Sequence, residues 1–272
     1  MNIQGIGALS SGSLDKTQKN LTKILEQLAT AQRINSASDD AAGLAVSTQL
    51  SSQVRGMKTA EDNVSYATDA LNIADSTAGQ VTDMLQRQRE LALQASNGTL
   101  NNSQRSDLDV EYQSLTQEIN RISGNATYNT QNVANGTGLA SGTAQVQAGP
   151  NAGDTITLAK VDSQAGTIGI SATSIATMTG AASAISAIDT ALNSMNTQRA
   201  TVGAETNRLG YTSNELSVAE TNTQAAESVI SDQDMAEGIS AMTSAQLLSE
   251  TGTAVFAHFN QIASANVLKL IQ

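Results

Sequence analysis

The chain has 272 residues, a formal net charge of -11, no cysteine and no tryptophan, and only 2% aromatic residues. This composition excludes disulfides, thiol chemistry and cysteine-based metal sites, and the acidic balance argues against nucleic acid as a partner. With Phe256 and Phe259 as the only phenylalanines, a core must be built from Ala, Leu, Ile, Val and Met, which suits slender helical layers better than a thick globule.

The first sixteen residues, MNIQGIGALSSGSLDK, hold neither a basic leader nor an apolar run of secretory length, and nowhere is there a stretch long enough to span a bilayer. The chain is therefore expected to be soluble, and either cytoplasmic or exported by a route that cuts no leader. From there Leu14, Leu21, Leu25, Leu28 and Ile34 fall on one helical face. The joint that follows, RINSASDDAAGLA, crowds Ala, Ser and Gly around Asp39 and Asp40. Ser36 and Asp39 stand at capping-box spacing, and paired acids in an opening turn offset the unpaired amides and positive dipole end of a helix. A catalytic acid and base would need unlike environments and further convergent polar groups.

Leu50, Val54, Met57, Val64, Leu71, Ala78, Val81 and Leu85 then keep a near-heptad register, with Ala67 and Ala74 near the remaining seam positions, as expected of a long helix packed along another. SNGTLNNS, residues 96–103, interrupts it, and Leu108, Tyr112, Leu115, Ile119 and Ile122 mark a shorter helix ending at Gly124. Residues 125–180 are rich in Gly, Thr, Asn and Ser and hold the sole proline, Pro150. Within them DTITLAKV (154–161) and GTIGISATSI (166–175) alternate apolar and polar residues, which predicts a small antiparallel hairpin turning at DSQAG. Helix returns near Ala182 with Ile185, Ile188, Leu192, Met195, Val202, Leu209 and Leu216, although Arg199, Thr206, Ser213 and Glu220 occupy seam places. A last amphipathic helix carries Met235, Ile239, Met242, Leu248, Val255, Phe259 and Ile262. The fold class is mainly α: a long antiparallel helical rod or coiled-coil bundle from the two ends, with a small central β-hairpin region.

No constellation supports catalysis, a cofactor or a metal. His258, the sole histidine, has no partner at ligand spacing, and GNATYNTQNVANGTG lacks the Gly-Lys-Ser/Thr ending of a phosphate loop. The terminal stripes are too thin to form stable helices alone, because nucleation is costly and packing supplies most helical stability. Both ends are therefore expected to order on assembly, with Leu14, Leu21, Leu25, Leu28, Met235, Ile239, Met242, Leu248, Val255, Phe259 and Ile262 as the self-assembly residues.

Several blocks, in order, resemble bacterial flagellin. They are LATAQRINSASDDAAGLAVSTQLSSQVRG (28–56), LQRQRELALQASNGT (85–99), EYQSLTQEINRIS (111–123), QVQAGPNAGDTI (145–156), RATVGAETNRL (199–209) and the segment from Ser231 to Gln272. One departure is ATYNTQNV, where Thr130 stands at a turn position that the family gives to glycine. The resemblance implies a minimal filament subunit: an inner terminal coiled-coil domain of residues 1–33 and 235–272, a spoke of 34–46 and 231–234, and an outer helical rod domain of 47–230 with its β segment at about 140–175. It implies a non-enzymatic, extracellular building block of the flagellar filament, exported without a cleaved signal peptide and polymerising with itself. Its partners would be the export apparatus, an export chaperone and a cap protein. By the same resemblance Arg87, Leu91 and Glu111 match positions read by toll-like receptors, and Val267, Leu268, Leu270 and Ile271 match a tip read by cytosolic immune sensors. The nearest alternative is a hook-filament junction protein; a soluble coiled-coil adaptor would not need matching ends around a central hairpin.

Overall fold

Five helices account for most of the chain in the computed structural model, which describes residues 3–271 and the side chains of 9, 11–262, 264 and 265. They are α1 (Ile3–Thr30), α2 (Ala41–Ala95), α3 (Asn102–Asn125), α4 (Met178–Ser231) and α5 (Met235–Ile271). Two small antiparallel pairs lie between α3 and α4: β1 (Thr127–Tyr128) with β2 (Gln131–Asn132), and β3 (Gln145–Gln147) with β4 (Thr155–Thr157). Contacts divide the chain into two units, one of residues 1–52 with 222–272, the other of 53–221, so α2 and α4 contribute to both.

In the second unit α2 and α4 run antiparallel. The portion of α2 from Ala78 to Ala95 shares a core with Ala181 to Met195, whereas Met57 to Ala74 share one with Val202, Leu209 and Leu216. The heptad residues of α2 named from the sequence are buried from Met57 onward, and the seam closes largely with alanine, which lets the backbones approach. Tyr112 and Ile119 of α3 complete the first of these cores. Each fully buried Leu or Ile contributes about 1.5–3 kcal/mol relative to exposure, so these two clusters dominate the unit's stability. Arg199, at a seam place of α4, is accommodated by an ion pair in which its Nε lies 2.9 Å from Asp75 Oδ1.

Local chemistry sets the helix boundaries. Asn101 and Gln104 form a reciprocal capping box at the start of α3, which begins within the break predicted over 96–103. The hydroxyl of Thr177 accepts from the Gly180 amide at 3.0 Å, so α4 begins a turn earlier than the apolar register at Ala182 suggests. Ile34, assigned to the α1 face by spacing, lies beyond the helix end and is buried in the joint.

The central hairpin differs from the one predicted by alternation. Thr155–Thr157 is a strand, but its partner is Gln145–Gln147, with Val146 opposite Ile156. Residues 166–175 form tight turns in which the amides of Ile168 and Ile170 donate to Gln164 and Ala165 carbonyls, and Gly169 takes a left-handed φ of 84°. Ile168 and Ile170 are buried as the alternation implies, and Ile175 is buried out of phase with it; burial every second residue does not require a ladder when local hydrogen bonds satisfy the backbone. The block resembling the flagellin hairpin, 145–156, does coincide with β3 and β4.

Candidate assembly surfaces

In the first unit α1 and α5 pack antiparallel, Leu14 lying against Gly252 and Leu28 against Gly238. The face of α5 turned to α1 is Gly238, Met242, Ala245, Ser249, Gly252, Phe256 and Phe259, spaced by fours and threes, of which Gly238 and Ala245 are buried. The opposing face of α1 is Leu14, Thr17, Leu21, Ile24 and Leu28. A methyl group on Gly238 would stand 2.7 Å from Leu28 Cδ2, so the small residues of α5 are what admit the leucines of α1. The Ser249 hydroxyl donates to Gln18 Oε1 at 3.1 Å beside this seam.

This arrangement splits the sequence-derived apolar set. Leu14, Leu21, Leu28, Met242 and Phe259 are half-buried in the α1 and α5 seam. Met235, Ile239, Leu248, Val255, Ile262 and Leu25 are exposed. Leu248, Val255 and Ile262 recur every seven residues and form one apolar row along α5. Ile24 and Phe256 also belong to the seam; on α5, counting glycine, alanine and serine as permitted seam residues recovers the whole four-three register, whereas on α1 the register runs through Thr17.

The joint is held by polar groups. Asp40 starts α2, its Oδ1 accepting from the Gly43 amide at 2.8 Å. Asp39 turns the other way: its Oδ2 accepts from the amides of Ser36 (3.0 Å) and Asn35 (3.2 Å), and its Oδ1 meets Lys23 Nζ of α1 at 2.8 Å. Lys23 first, then the Ser36 amide, hold the Asp39 carboxyl down at about 2. The predicted capping box is thus half made: Asp39 reaches back to Ser36, but the capping residue of α2 is Asp40. Across the joint the Arg33 amide donates to Ser231 O at 2.7 Å, and the Arg33 guanidinium to Ile230 O.

Of the positions matched to immune receptors, Arg87 and Glu111 lie on the surface of the second unit, joined at 2.9 Å, with Glu90 also paired to Arg87. Glu111, then Glu90, raise the Arg87 guanidinium above its ordinary value. Leu91 is only 1% exposed and belongs to the core, so its side chain offers nothing to a partner's surface. The side chains of Val267, Leu268, Leu270 and Ile271 lie outside the described residues.

His258 is exposed on α5, and among the described residues no group of three His, Asp or Glu side chains is placed to hold a metal. A groove of about 350 Å³ beside the hairpins is lined by Tyr66, Tyr128, Leu139, Val146 and Leu158 with the amides of Asn63, Gln145 and Gln147, without a carboxylate or imidazole. Among the described residues no helix is long and apolar enough to cross a membrane.

Residues 7–139 match the bacterial flagellin N-terminal helical region, and residues 185–271 the bacterial flagellin C-terminal helical region. The flagellin of Halalkalibacterium halodurans is 39% identical, over 92% of this chain and 91% of that protein. The 31.3 kDa flagellar filament core protein of Treponema maltophilum is 35% identical, over 97% and 96%. Among solved structures, the crystal structure of Bacillus cereus flagellin superposes with a TM-score of 0.51 at 32% identity, covering 61% of this chain and 94% of that one. Two matching end regions around a short β segment, with relatives similar along nearly their full length, establish that the chain belongs to the bacterial flagellin family.

Proposed function

We infer that this chain is the repeating, non-enzymatic subunit of a bacterial flagellar filament, and that it polymerises through the apolar row that α5 leaves uncovered. The observation that carries this reading is the placement on α5: Gly238, Ala245, Ser249 and Gly252 admit α1 and Met242, Phe256 and Phe259 pack beside it, while Leu248, Val255 and Ile262 are left facing solvent. A monomeric helix pair gains nothing from that placement, since bulky side chains stabilise where they are buried. A second copy supplies the missing cover at every repeat of a helical polymer.

The finer organisation follows the resemblance. Residues 1–33 and 235–272 form the inner terminal domain, 34–46 and 231–234 the spoke, and 47–230 the outer domain. The interruptions of helix on either side of the Gln32 to Asp232 bridge support a spoke there. The half-buried character of the α1 and α5 seam supports ends that gain order from neighbouring copies. Passage through an export apparatus, with a chaperone and a cap protein as partners, suits a chain whose ends order last. Arg87 and Glu111 are open to an immune receptor on the isolated subunit, while Leu91 acts by packing the helix that carries Arg87.

The test is sedimentation and negative-stain microscopy of purified protein with and without fragments of preformed filament. Long tubular filaments of helical symmetry are expected. Protein that stays monomeric, or that caps seeds without extending them, assigns the chain to the hook-filament junction instead.

A further inference from the structure

The chain contains two Asn-Gly dipeptides, Asn97-Gly98 between α2 and α3 and Asn135-Gly136 after β2. We propose that Asn97-Gly98 is a site of spontaneous deamidation in the folded protein and that Asn135-Gly136 is protected by its fold. The reaction is the same at both in principle. The glycine amide nitrogen, after losing its proton to solvent, attacks Cγ of the asparagine; the new N–Cγ bond forms, the Cγ–Nδ2 bond breaks and ammonia leaves. Water then opens the resulting succinimide to aspartate or isoaspartate, so asparagine and water become an acid and ammonia.

The two sites share much. In each the asparagine Oδ1 accepts from the amide two residues on, Thr99 at 3.1 Å and Thr137 at 3.0 Å. They differ at the nucleophile. The Gly136 amide donates to Val161 O at 2.9 Å, and Gly136 is held at a φ of 74° against the Asp162 carboxylate. That nitrogen can attack only after the loop opens, which costs free energy before any chemistry. The Gly98 amide makes no hydrogen bond among the described residues, and nothing stands within 4 Å of where a Gly98 side chain would be. Asn97 itself is exposed, whereas Asn135 is half-buried.

The surroundings of Asn97 also favour the product. Arg105 is only 6% exposed, yet its guanidinium bonds neutral oxygens alone: Ala95 O at 2.8 Å, Asn102 Oδ1 at 3.1 Å and Asn97 O at 2.9 Å. A carboxylate formed at residue 97 belongs to a residue whose backbone carbonyl already accepts from Arg105, a cation bonded to neutral oxygens alone, so the new charge gains a nearby opposite one. Conversion adds one negative charge at the corner joining α2 to α3.

The experiment is timed incubation of the purified chain at mildly alkaline pH, native and in urea, followed by peptide mapping with mass spectrometry that separates aspartate from isoaspartate. In the native protein Asn97 is expected to convert at least about tenfold faster than Asn135, whereas in urea the two rates converge to within about twofold. Gly98→Ala slows conversion at Asn97 in both conditions and leaves Asn135 unchanged. Equal native rates, a faster Asn135, or a native Asn97 that stays intact while the urea sample converts each overturn the proposal.

Discussion

Replacing Leu248, Val255 and Ile262 together by alanine separates assembly from folding. These side chains are 62%, 63% and 50% exposed in the single chain, so half or more of each surface remains to be covered. Full burial of such a side chain is worth about 1.5–3 kcal/mol, and alanine keeps the first carbon, which leaves roughly 1 kcal/mol lost per position and roughly 3 kcal/mol for the three. At 1.4 kcal/mol per factor of ten, the critical concentration for polymerisation rises about a hundredfold. Helix formation itself does not suffer, because alanine has a higher helical propensity than Val, Ile or Leu. The assay is sedimentation across a dilution series, with circular dichroism of the unassembled protein as the control. An unchanged critical concentration refutes the assignment of this row to the interface; lost ellipticity in the unassembled variant refutes the separation of row from seam.

Thr130→Gly is expected to stabilise the second unit. Asn129 and Thr130 have φ of 47° and 65°; a left-handed threonine costs about 1–2 kcal/mol, of which the greater freedom of unfolded glycine returns about 0.5–1, so Tm should rise by roughly 1–4 °C and a fall contradicts the strain. For Asp39, whose carboxyl is held at about 2 against an ordinary 3.8, the sign is that of a depressed acid: its support of the joint is present above the ordinary value and is lost as pH falls through about 2. Hydrogen exchange at the Ser36 and Asn35 amides should show protection fading across that window, and Asp39→Asn should abolish the pH dependence; protection that persists below it refutes the role.

Helices were legible because their apolar residues recur in register over many turns, as from Met57 to Leu85, where one misplaced residue leaves the pattern intact. The hairpin was not legible from alternation, because Ile168, Ile170 and Ile175 are buried every second or fifth residue by turns rather than by a ladder. Local period reports burial; it does not report whether the backbone finds its partner nearby or across a strand. Thr130 marks the same limit from the other side: the sequence signalled an unusual residue at a turn, and the left-handed φ shows that the turn is kept and the strain accepted.

The seam between α1 and α5 was half legible for a related reason. Hydrophobicity ranks Leu248 and Val255 above Gly238, Ala245, Ser249 and Gly252, so a stripe drawn from apolar residues favours the outer row over much of the inner one. Between two helices, however, the approach distance is set by size, and a seam of glycine, alanine and serine brings α5 close enough for Leu14 and Leu28 to reach its backbone. Met242, Phe256 and Phe259 fill the rest of that seam, and Leu248, Val255 and Ile262 stay exposed on the other side of α5. A chain that must hold its two ends together and still present them to further copies needs two faces of unlike character on one helix. Four small residues among the seven on one face, and an uncovered row of large apolar residues on the other, meet both demands.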